Sequence, residues 1–337
     1  RRPRPQLEPD LLRALDTCLG CKACATSCPV QVDIPSMKSA FLAEYHIRNA
    51  RPFADRLTLW AERHSARVVR AAPLLRPLWP LAARIGETLT ATRDLPNLNP
   101  ARLDPTPGEE VILVQDWFTA LFDGDTVADI AAGLRALGYA PRLLPMRPAG
   151  KAAWAMGDRK GFAHMAAALV AQLQAEKAPL IGLDPALVML LRQDYPKAGF
   201  APPPVLLPQE FLAAEIDRGR TFPQGKGRLK ILSHCTEATA APTTVLWAKV
   251  AGALGLTPET PATGCCGMAG LFGHQERHQE MSRTLFDMSW ADKLEGATAT
   301  GFSCRCQAER LTKTRLHHPF KVIAELIQDG SRDPAMA

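Results

Sequence analysis

The chain has 337 residues, of which 47% are hydrophobic and 22% charged, so it has globular composition and enough length for two domains. Its net charge of +6 comes partly from the opening Arg1-Arg2-Pro3-Arg4, and no basic stripe is interleaved with aromatic residues, which argues against nucleic-acid binding. No apolar run approaches the ~20 residues of a transmembrane segment, and no secretory signal is visible. We therefore expect a cytoplasmic protein, either free or attached peripherally to the inner face of the membrane.

Residues 1–94 are predicted to form a small all-α domain. Helices are expected at Pro9–Leu15, Ser36–Asn49 and Phe53–Arg70. The apolar stretch Ala71–Ile85 is interrupted by prolines and arginines, so we interpret it as a helical connector, with a contact to a membrane surface or a partner as the alternative. Residues 95–109 are rich in Pro, Asn and Asp and are predicted to be an interdomain linker.

From residue 110 onward, buried-strand runs alternate with helical spacing, which predicts an α/β arrangement. Strands are expected at Glu110–Gln115, Arg142–Leu144, Leu180–Leu183, Leu229–Leu232 and Ala297–Phe302. Helices are expected at Thr126–Leu137, Gly161–Lys177, Pro185–Gln193, Pro208–Asp217, Thr244–Leu254 and Gln275–Leu294, with a short helix from about Gln307.

The order of elements in residues 110–217 recurs in residues 228–330, which indicates an internal duplication. When the two repeats are aligned, Asp116 of the first corresponds to Cys235 of the second, and Gly150 corresponds to Cys266. The first repeat therefore lacks the cysteines of the second. The predicted fold class is α+β multidomain, with a small ferredoxin-like helical domain followed by a duplicated, Rossmann-like α/β domain.

The nine cysteines fall into two sets, and the first reads C-L-G-C-K-A-C-A-T-S-C-P over residues 18–29. Its members are Cys18, Cys21, Cys24 and Cys28. This is the C-x2-C-x2-C-x3-C-P spacing of bacterial ferredoxins, in which soft thiolates wrap a 4Fe–4S cluster. Grouped thiols without an export signal favour metal binding over disulfides. The alternative for this run is a zinc site or cysteines without a ligand.

The fourth ligand of this cluster is an open question. In two-cluster ferredoxins the last cysteine of such a run serves the other cluster, whereas this chain has a single run. Either Cys28 completes the cluster or a remote cysteine does. We favour Cys28, because the five distant cysteines have a pattern of their own.

The second set comprises Cys235, Cys265, Cys266, Cys304 and Cys306. Each group is expected where a strand ends and a loop begins, and the carboxyl ends of strands in an open α/β sheet converge on one crevice. The sequence therefore predicts that these thiols meet and hold a second iron–sulfur cluster, with a cysteine-lined element without metal as the alternative. His234, next to Cys235, is expected either to tune the thiolate or to pack at the strand end.

Other polar positions have mainly structural interpretations. His274 and His278 are four residues apart and are interpreted as an exposed helix face, with a shared metal as the alternative. Asp116 and Asp184 follow predicted strands, where capping or salt-bridge roles are expected. No Gly-x-Gly-x-x-Gly follows a strand, so nothing argues for bound NAD, and no acid or base for a substrate is visible.

The spacing of Cys235, Cys265-Cys266-Gly267 and Cys304-Arg305-Cys306 resembles the cysteine-rich CCG domain. That domain occurs in heterodisulfide reductase and in the iron–sulfur subunits of glycolate oxidase and anaerobic glycerol-3-phosphate dehydrogenase. It has a Cys, a distant Cys-Cys-Gly and a distant Cys-x-x-Cys in two copies, and some members bind a non-cubane 4Fe–4S cluster with it. Here the closing element is one residue shorter and the first copy has no cysteines.

Five segments spread over most of the chain carry a second resemblance. They are Val114-Gln115-Asp116, Gly182-Leu183-Asp184-Pro185, His234-Cys235-Thr236-Glu237, Cys265-Cys266-Gly267-Met268-Ala269-Gly270 and Gly301-Phe302-Ser303-Cys304-Arg305. These resemble the C-terminal half of large bacterial dehydrogenases that contain FAD and iron–sulfur clusters and act on D-2-hydroxy acids, typically D-2-hydroxyglutarate or D-lactate. The resemblance implies that this chain is either the detached C-terminal part of such an enzyme or a separate subunit.

The function implied by this resemblance is electron relay. FAD on the missing or partner portion takes a hydride from a 2-hydroxy acid, and the electrons leave through this chain to a quinone or a soluble carrier. The alternative is a subunit like that of heterodisulfide reductase, whose CCG site does thiol–disulfide chemistry. A third hypothesis is an iron–sulfur sensing module without turnover.

Overall fold

The computed structural model describes residues 7–239, 241 and 243–330, so the tail predicted at Arg1–Arg4 lies outside the described residues. The described chain is an α/β mixture in which helices dominate. Its strands form a four-stranded and a three-stranded sheet, and every pairing in them is parallel. The expectation of mixed helices and strands is confirmed at this level.

The N-terminal region is helical, as predicted. Its helices are α1 (Glu8–Asp16), α2 (Ala23–Ser27), α3 (Ile34–Arg48), α4 (Phe53–Leu75) and α5 (Trp79–Thr90), with a 3₁₀ turn at Arg76–Leu78. The side chain of Asp33 caps α3 by accepting a hydrogen bond from the Ser36 amide at 2.9 Å. Helix α4 continues through Pro73, beyond the predicted end at Arg70, because Ala72 is fully buried and its packing holds the last turn.

One face of this region is apolar and exposed. Leu74, Leu78, Leu81, Ile85 and Leu89 follow helical spacing and are between 53% and 83% exposed. We call these five residues the apolar face. A patch of this kind is typical of an interaction surface. In the described part of the chain, no helix combines the length and the apolar character needed to cross a membrane.

The segment predicted to be a linker, residues 95–109, is packed against the helices. Leu98 is only 1% exposed, and the indole N–H of Trp79 donates to the carbonyl of Pro96 at 2.9 Å. The segment is therefore packed onto the helical region and is not a loose tether.

The first unit (residues 109–217) follows. Its strands are β1 (Glu109–Val114), β2 (Tyr139–Leu143), β3 (Leu180–Gly182) and β4 (Val205–Leu206), in the order β2-β1-β3-β4. Its helices are α6 (Trp117–Phe122), α7 (Gly124–Ala136), α8 (Lys151–Ala155), α9 (Arg159–Gln174), α10 (Pro185–Met189), α11 (Tyr195–Lys197) and α12 (Pro208–Asp217). A π-helical turn, Leu190–Asp194, joins α10 to α11. The sequence does not predict β4, because two residues give no alternation to detect.

The second unit (residues 228–330) repeats this arrangement with fewer strands. These are β5 (Arg228–Leu232), β6 (Thr257–Glu259) and β7 (Ala297–Ala299), in the order β6-β5-β7. Its helices are α13 (Cys235–Thr239), α14 (Thr244–Ala253), α15 (Gln279–Ser289), α16 (Phe302–Thr312) and α17 (Pro319–Gly330). In both units the first strand pairs with the second on one side and with the third on the other.

One long helix expected in the second unit is interrupted. The predicted helix Gln275–Leu294 is α15 flanked by 3₁₀ turns at Glu276–His278 and Ala291–Lys293. Helix α15 ends at Ser289 because the next residue, Trp290, leaves helical geometry, and the buried indole N–H of Trp290 donates to the carbonyl of Gly264 at 3.0 Å.

The two units share one hydrophobic core. Val111 of β1 and Leu229 of β5 belong to the same cluster of buried side chains, together with Phe320 of α17. Helices α7 and α17 pack closely between the sheets, since a Cβ on Gly133 would lie only 2.5 Å from the ring of Phe320. The units are therefore packed as one body.

Candidate functional site

The ferredoxin-type loop, residues 18–28, connects α1 to α3 and is shaped by left-handed backbone. Gly20 and Lys22 have φ angles of 70° and 60°, which turn the chain between successive cysteines. Helix α2 lies within the loop and carries the third cysteine. The four cysteines of the loop are free and partly exposed: Cys18, Cys21, Cys24 and Cys28.

Cys28 has surroundings that favour a thiolate. The backbone amides of Val32, Val30 and Gln31 donate toward its sulfur and lower the pKa of the Cys28 thiol below its ordinary value. Hydrogen bonds to sulfur are also among the features that set the potential of a bound iron–sulfur cluster. The environment of Cys28 thus fits the ligand role predicted for it.

The second set of cysteines lies on α13, on α16 and in the loop after β6. Cys235 is the first residue of α13, and Cys265-Cys266 lies in the loop. Cys304 and Cys306 lie on α16, which begins earlier than the helix predicted near Gln307, because the preceding strand is only 3 residues long. Each group follows a strand, as predicted, but two of the three are helical.

Cys235 and Cys265 form a hydrogen-bonded pair. The Cys235 thiol donates to the Cys265 sulfur, which also accepts the backbone amide of Gly267 at 3.3 Å. The Cys235 hydrogen bond and the amide lower the pKa of Cys265 to about 7, against the effect of burial. The contact with Cys265, together with burial, raises the pKa of Cys235. Cys265 is therefore readily ionised near neutral pH.

Cys266 and Cys304 form a second pair in the interior. They are 2% and 0% exposed, and burial together with the hydrogen bond to Cys266 raises the pKa of the Cys304 thiol. Since Cys265 and Cys266 are adjacent, one peptide bond joins this pair to the pair formed by Cys235 and Cys265. The structure thus brings four thiols of the second set together.

Cys306 has a histidine neighbour that the sequence does not indicate. Its sulfur lies 3.9 Å from Nε2 of His274, and burial raises the pKa of the thiol to about 12. His274 Nδ1 lies 2.9 Å from the carbonyl oxygen of Arg93, and His278 Nε2 lies 3.0 Å from the Asp16 carboxylate. The prediction that both histidines form an exposed helix face is wrong, because they sit on 3₁₀ turns that bury them.

The two cysteine sets are neighbours. Thr239, the last residue of α13, has its hydroxyl 2.9 Å from the carbonyl oxygen of Cys235 and 3.4 Å from that of Cys21. Burial raises the pKa of the Cys21 thiol, and the charge of Cys265 adds to this effect. The ferredoxin-type loop and the second set therefore meet at Cys21.

His234 is buried behind the second set. Burial lowers the pKa of its imidazole to about 4, so the ring is neutral at pH 7. Its Nδ1 accepts a hydrogen bond from the Thr236 amide at 3.1 Å, and its ring fills the space beside Gly301, where a Cβ would lie within 2.2 Å. These contacts are those of packing at the end of the strand.

The first unit supplies carboxylates to the helix that carries the last two cysteines. Asp116 and Asp184 cap α6 and α10, which confirms the capping role expected of them. The other oxygen of Asp184 accepts the amide of Phe302, at the start of α16, at 3.1 Å. Asp123 forms an ion pair of 2.5 Å with Arg305 on the same helix. Helix α16 is therefore held by side chains from outside its own unit.

The donor sets fit an iron–sulfur group in their chemistry. In residues 7–239, 241 and 243–330, no three or more Cys, His, Asp or Glu side chains are arranged to hold one metal ion. A cluster makes a different demand, because each thiolate binds its own iron. All nine cysteines are free, and backbone amides donate to the sulfurs of Cys28 and Cys265. These are soft donors with the hydrogen bonds that such a group uses.

Comparison with known proteins finds similarity to one kind of enzyme. The chain is 36% identical over 347 residues to D-2-hydroxyglutarate dehydrogenase of Pseudomonas putida, covering 94% of this chain and 34% of that protein. It is 32% identical over 357 residues to the enzyme of the same name from Escherichia coli, covering 95% and 35%. It is 31% identical over 362 residues to that from Haemophilus influenzae, covering 94% and 35%.

No family model matches the chain, and no solved structure matches it significantly. The similarity to the three enzymes extends over nearly all of this chain, whereas the chain spans only about a third of the length of these curated relatives.

Proposed function

We propose that the chain is the iron–sulfur electron-transfer part of a FAD-dependent D-2-hydroxy-acid dehydrogenase, of the D-2-hydroxyglutarate or D-lactate type. The observation that carries the proposal is the meeting of two cysteine sets at Cys21, Thr239 and Cys235. It occurs in a chain that is similar to D-2-hydroxyglutarate dehydrogenases over about a third of their length. Two groups of soft donors on adjacent elements suit a relay of electrons. The substrate and FAD belong to the portion that the chain does not span.

The ferredoxin-type loop would hold the first centre through Cys18, Cys21, Cys24 and Cys28. A bound 4Fe–4S cluster would supply one-electron chemistry, which a flavin that receives electrons in pairs requires. The left-handed turns of the loop orient its thiols, and the amides around Cys28 stabilise a thiolate there. Because the four thiols are partly exposed, the loop is accessible to a partner.

The second set would hold the second centre, on the side of the final acceptor, a quinone or a soluble carrier. The ligands proposed for it are Cys235, Cys265, Cys266 and Cys304, with Cys306 beside them. Burial of Cys266 and Cys304 keeps water away from this set. Thr239 fixes α13 against the ferredoxin-type loop. The two α/β units are interpreted as copies of one ancestral CCG unit, of which the first supports the second.

The apolar face is the surface that we assign to the flavin-bearing portion. Its five residues remain more than half exposed in a chain that spans about a third of its relatives. Replacing Leu81 and Ile85 by serine is expected to abolish co-purification with a flavin-bearing portion expressed alongside, while leaving the melting temperature unchanged. Undiminished co-purification would place the contact elsewhere.

Iron and sulfide analysis with EPR spectroscopy on anaerobically purified protein tests the proposal. We expect about eight irons per chain in the wild type and about four in each of two double variants, Cys18→Ser/Cys21→Ser and Cys265→Ser/Cys266→Ser. Each variant should lose a different signal. About four irons in the wild type, unchanged by the second variant, would leave one centre and a metal-free second set. Absence of iron from the wild type would contradict the proposal as a whole.

The Cys235–Cys265 pair supports a second candidate function, thiol–disulfide chemistry like that of heterodisulfide reductase. A thiol with a pKa of about 7 in contact with another thiol is suited to attack a disulfide. The Cys265 sulfur would bond to one substrate sulfur and release the other as a thiol. Cys235 would then displace the bound half, which leaves a protein disulfide and two substrate thiols.

Release of free thiols from a small disulfide by the reduced, iron-free chain tests this alternative. Release that is lost in Cys265→Ser and kept in Cys18→Ser would favour it, whereas equal release by both variants would exclude it.

A further inference from the structure

A buried ion pair lies beside the ferredoxin-type loop. Lys22, between Cys21 and Cys24 in the sequence, is 8% exposed, and its ammonium lies 2.5 Å from the carboxylate of Asp194. Asp194 is 5% exposed. The left-handed φ of 60° at Lys22 is uncommon for a residue other than glycine, so the backbone at this position is constrained.

The carboxylate comes from the unit that has no cysteines. Asp194 is the last residue of the π-helical turn Leu190–Asp194, and such turns are rare and often lie at functional sites. Asp184 caps a helix and Asp123 pairs with Arg305, whereas the side chain of Asp194 caps no helix and pairs with the cysteine loop. The ion pair therefore connects the first unit directly to the cysteine loop. The proposed function gives no role to this connection.

Stability alone is a weak explanation for this pair. The free energy needed to remove both charges from water offsets much of the free energy gained from their attraction. Apolar side chains of similar volume commonly give a fold of equal stability. Charges in a low-dielectric interior act strongly on neighbouring groups. The groups that flank Lys22 in the sequence are the thiols of Cys21 and Cys24, which are to carry negative charge as ligands.

We infer that Lys22 and Asp194 together set the reduction potential of the group held by the ferredoxin-type loop. Lys22 favours the added negative charge of the reduced state, and Asp194 limits that effect. The inference rests on the proposed function, because it requires an iron–sulfur group on Cys18, Cys21, Cys24 and Cys28. Both residues act through their charge on the ligands and are not ligands themselves.

The two partners should have opposite effects. Lys22→Met leaves the Asp194 carboxylate unpaired, which disfavours an added electron and lowers the reduction potential. Asp194→Asn leaves the Lys22 ammonium unpaired and raises the potential. The double variant, Lys22→Met/Asp194→Asn, removes both charges and should return close to the wild-type value. Lys22→Arg keeps the charge and should change the potential least.

The measurement is a redox titration of the EPR signal of the first centre, on anaerobically purified protein with equal iron content per chain. Lys249→Met is the matched control, since Lys249 pairs with Asp217 on helices α14 and α12 and should leave the potential unchanged. A purely structural role would shift the potential in the same direction in both single variants, or would only lower their iron content.

Potentials that are equal in all variants with full iron would overturn the inference and leave the proposed function intact. Iron-free wild-type protein would instead overturn the proposed function. If the single variants do not load iron, Arg159→Met is the test, because Arg159 is partly exposed and its charge interacts with Asp194. A lowered potential supports the inference, and an unchanged potential contradicts it.

Discussion

Gly267 and Cys265 are joined by a hydrogen bond of 3.3 Å from the Gly267 amide to the Cys265 sulfur. Gly267 has a φ of 82°, and a Cβ there would lie 2.2 Å from the carbonyl oxygen of Ser282. We expect Gly267→Ala to displace the turn that carries Cys265 and to lower the free energy of unfolding by about 2–4 kcal/mol. Urea denaturation gives the free energy, and alkylation at pH 7 reports the reactivity of Cys265.

The matched control in the same loop is Gly270→Ala. Gly270 has a φ of 65°, but nothing lies within 4 Å of the position of its Cβ. Only the backbone strain of about 1 kcal/mol should therefore remain. Equal losses in the two variants would show that the contact with Ser282 is not the cause.

Close packing of α7 on α17 gives a second prediction. A Cβ on Gly133 would lie 2.5 Å from Cδ1 and 2.7 Å from the carbonyl oxygen of Phe320, so Gly133→Ala should lower the free energy of unfolding by about 1–3 kcal/mol. Gly252→Ala, on α14, meets nothing within 4 Å and should instead stabilise the protein by about 1 kcal/mol. Thermal unfolding of both variants checks the signs, and stabilisation by Gly133→Ala would refute the packing argument.

Glu62 should make stability depend on pH. It is fully buried, and its carboxylate accepts the amides of Ala152 and Ala153 at 3.0 and 2.9 Å. Burial raises the pKa of Glu62 from 4.5 to about 7, and the negative charge of Asp116 adds to this rise. The hydrogen bonds from the backbone amides, including that of Lys151, oppose the rise. The folded chain therefore binds this proton more tightly than the unfolded chain. The resulting stability is fully present below about pH 4.5 and is lost as the pH rises through about 7.

Glu62→Gln removes this titration. As the pH rises from 4.5 to 7, the free energy of unfolding of the wild type should fall relative to that of the variant by up to about 3 kcal/mol. Denaturant titrations at several pH values measure it. A difference that stays constant over this range would mean that Glu62 keeps its ordinary pKa in the folded chain.

Thr239→Val should weaken the contact between the two cysteine sets without loss of bound iron. The variant keeps the shape of the side chain but loses the hydroxyl contacts to Cys235 and Cys21, at a cost of about 1 kcal/mol. We expect unchanged iron content and a weaker magnetic interaction between the two EPR signals. Thr284→Val, which loses a similar hydrogen bond to the Glu280 carbonyl on an exposed helix, should leave that interaction unaltered. An interaction that persists in Thr239→Val would mean that this bridge does not fix the two sets.

Local signals in the sequence predict much of the fold. Helix α12 has the predicted bounds, Pro208–Asp217, because a proline at its start and the apolar spacing that follows lie within the helix itself. Strand β4 and the π-helical turn Leu190–Asp194 are not predictable in this way, because they depend on pairing and packing with distant residues. The internal duplication stays a prediction, which the central position of the first strand in both sheets supports.

The candidate site divides in the same way. The spacing of the cysteines in the ferredoxin-type loop is a local pattern, so the sequence identifies these residues directly. The contact of Cys21 with α13 through Thr239 joins residues more than 200 positions apart, and no spacing records it. The burial of His274 against Cys306 depends likewise on how the 3₁₀ turns pack. The sequence therefore supplies the candidate residues, but it does not show which of them are neighbours.

The shared core means that the thiol arrangement is a property of both units together. Asp184 and Asp123 reach from the first unit to the start of α16, and Leu229 of the second unit is buried in a cluster with Val111 of the first. Deleting residues 110–217 would expose that cluster and release the helix on which two cysteines lie. Substitutions in a unit without a single cysteine can thus alter the surroundings of the thiols in the other unit.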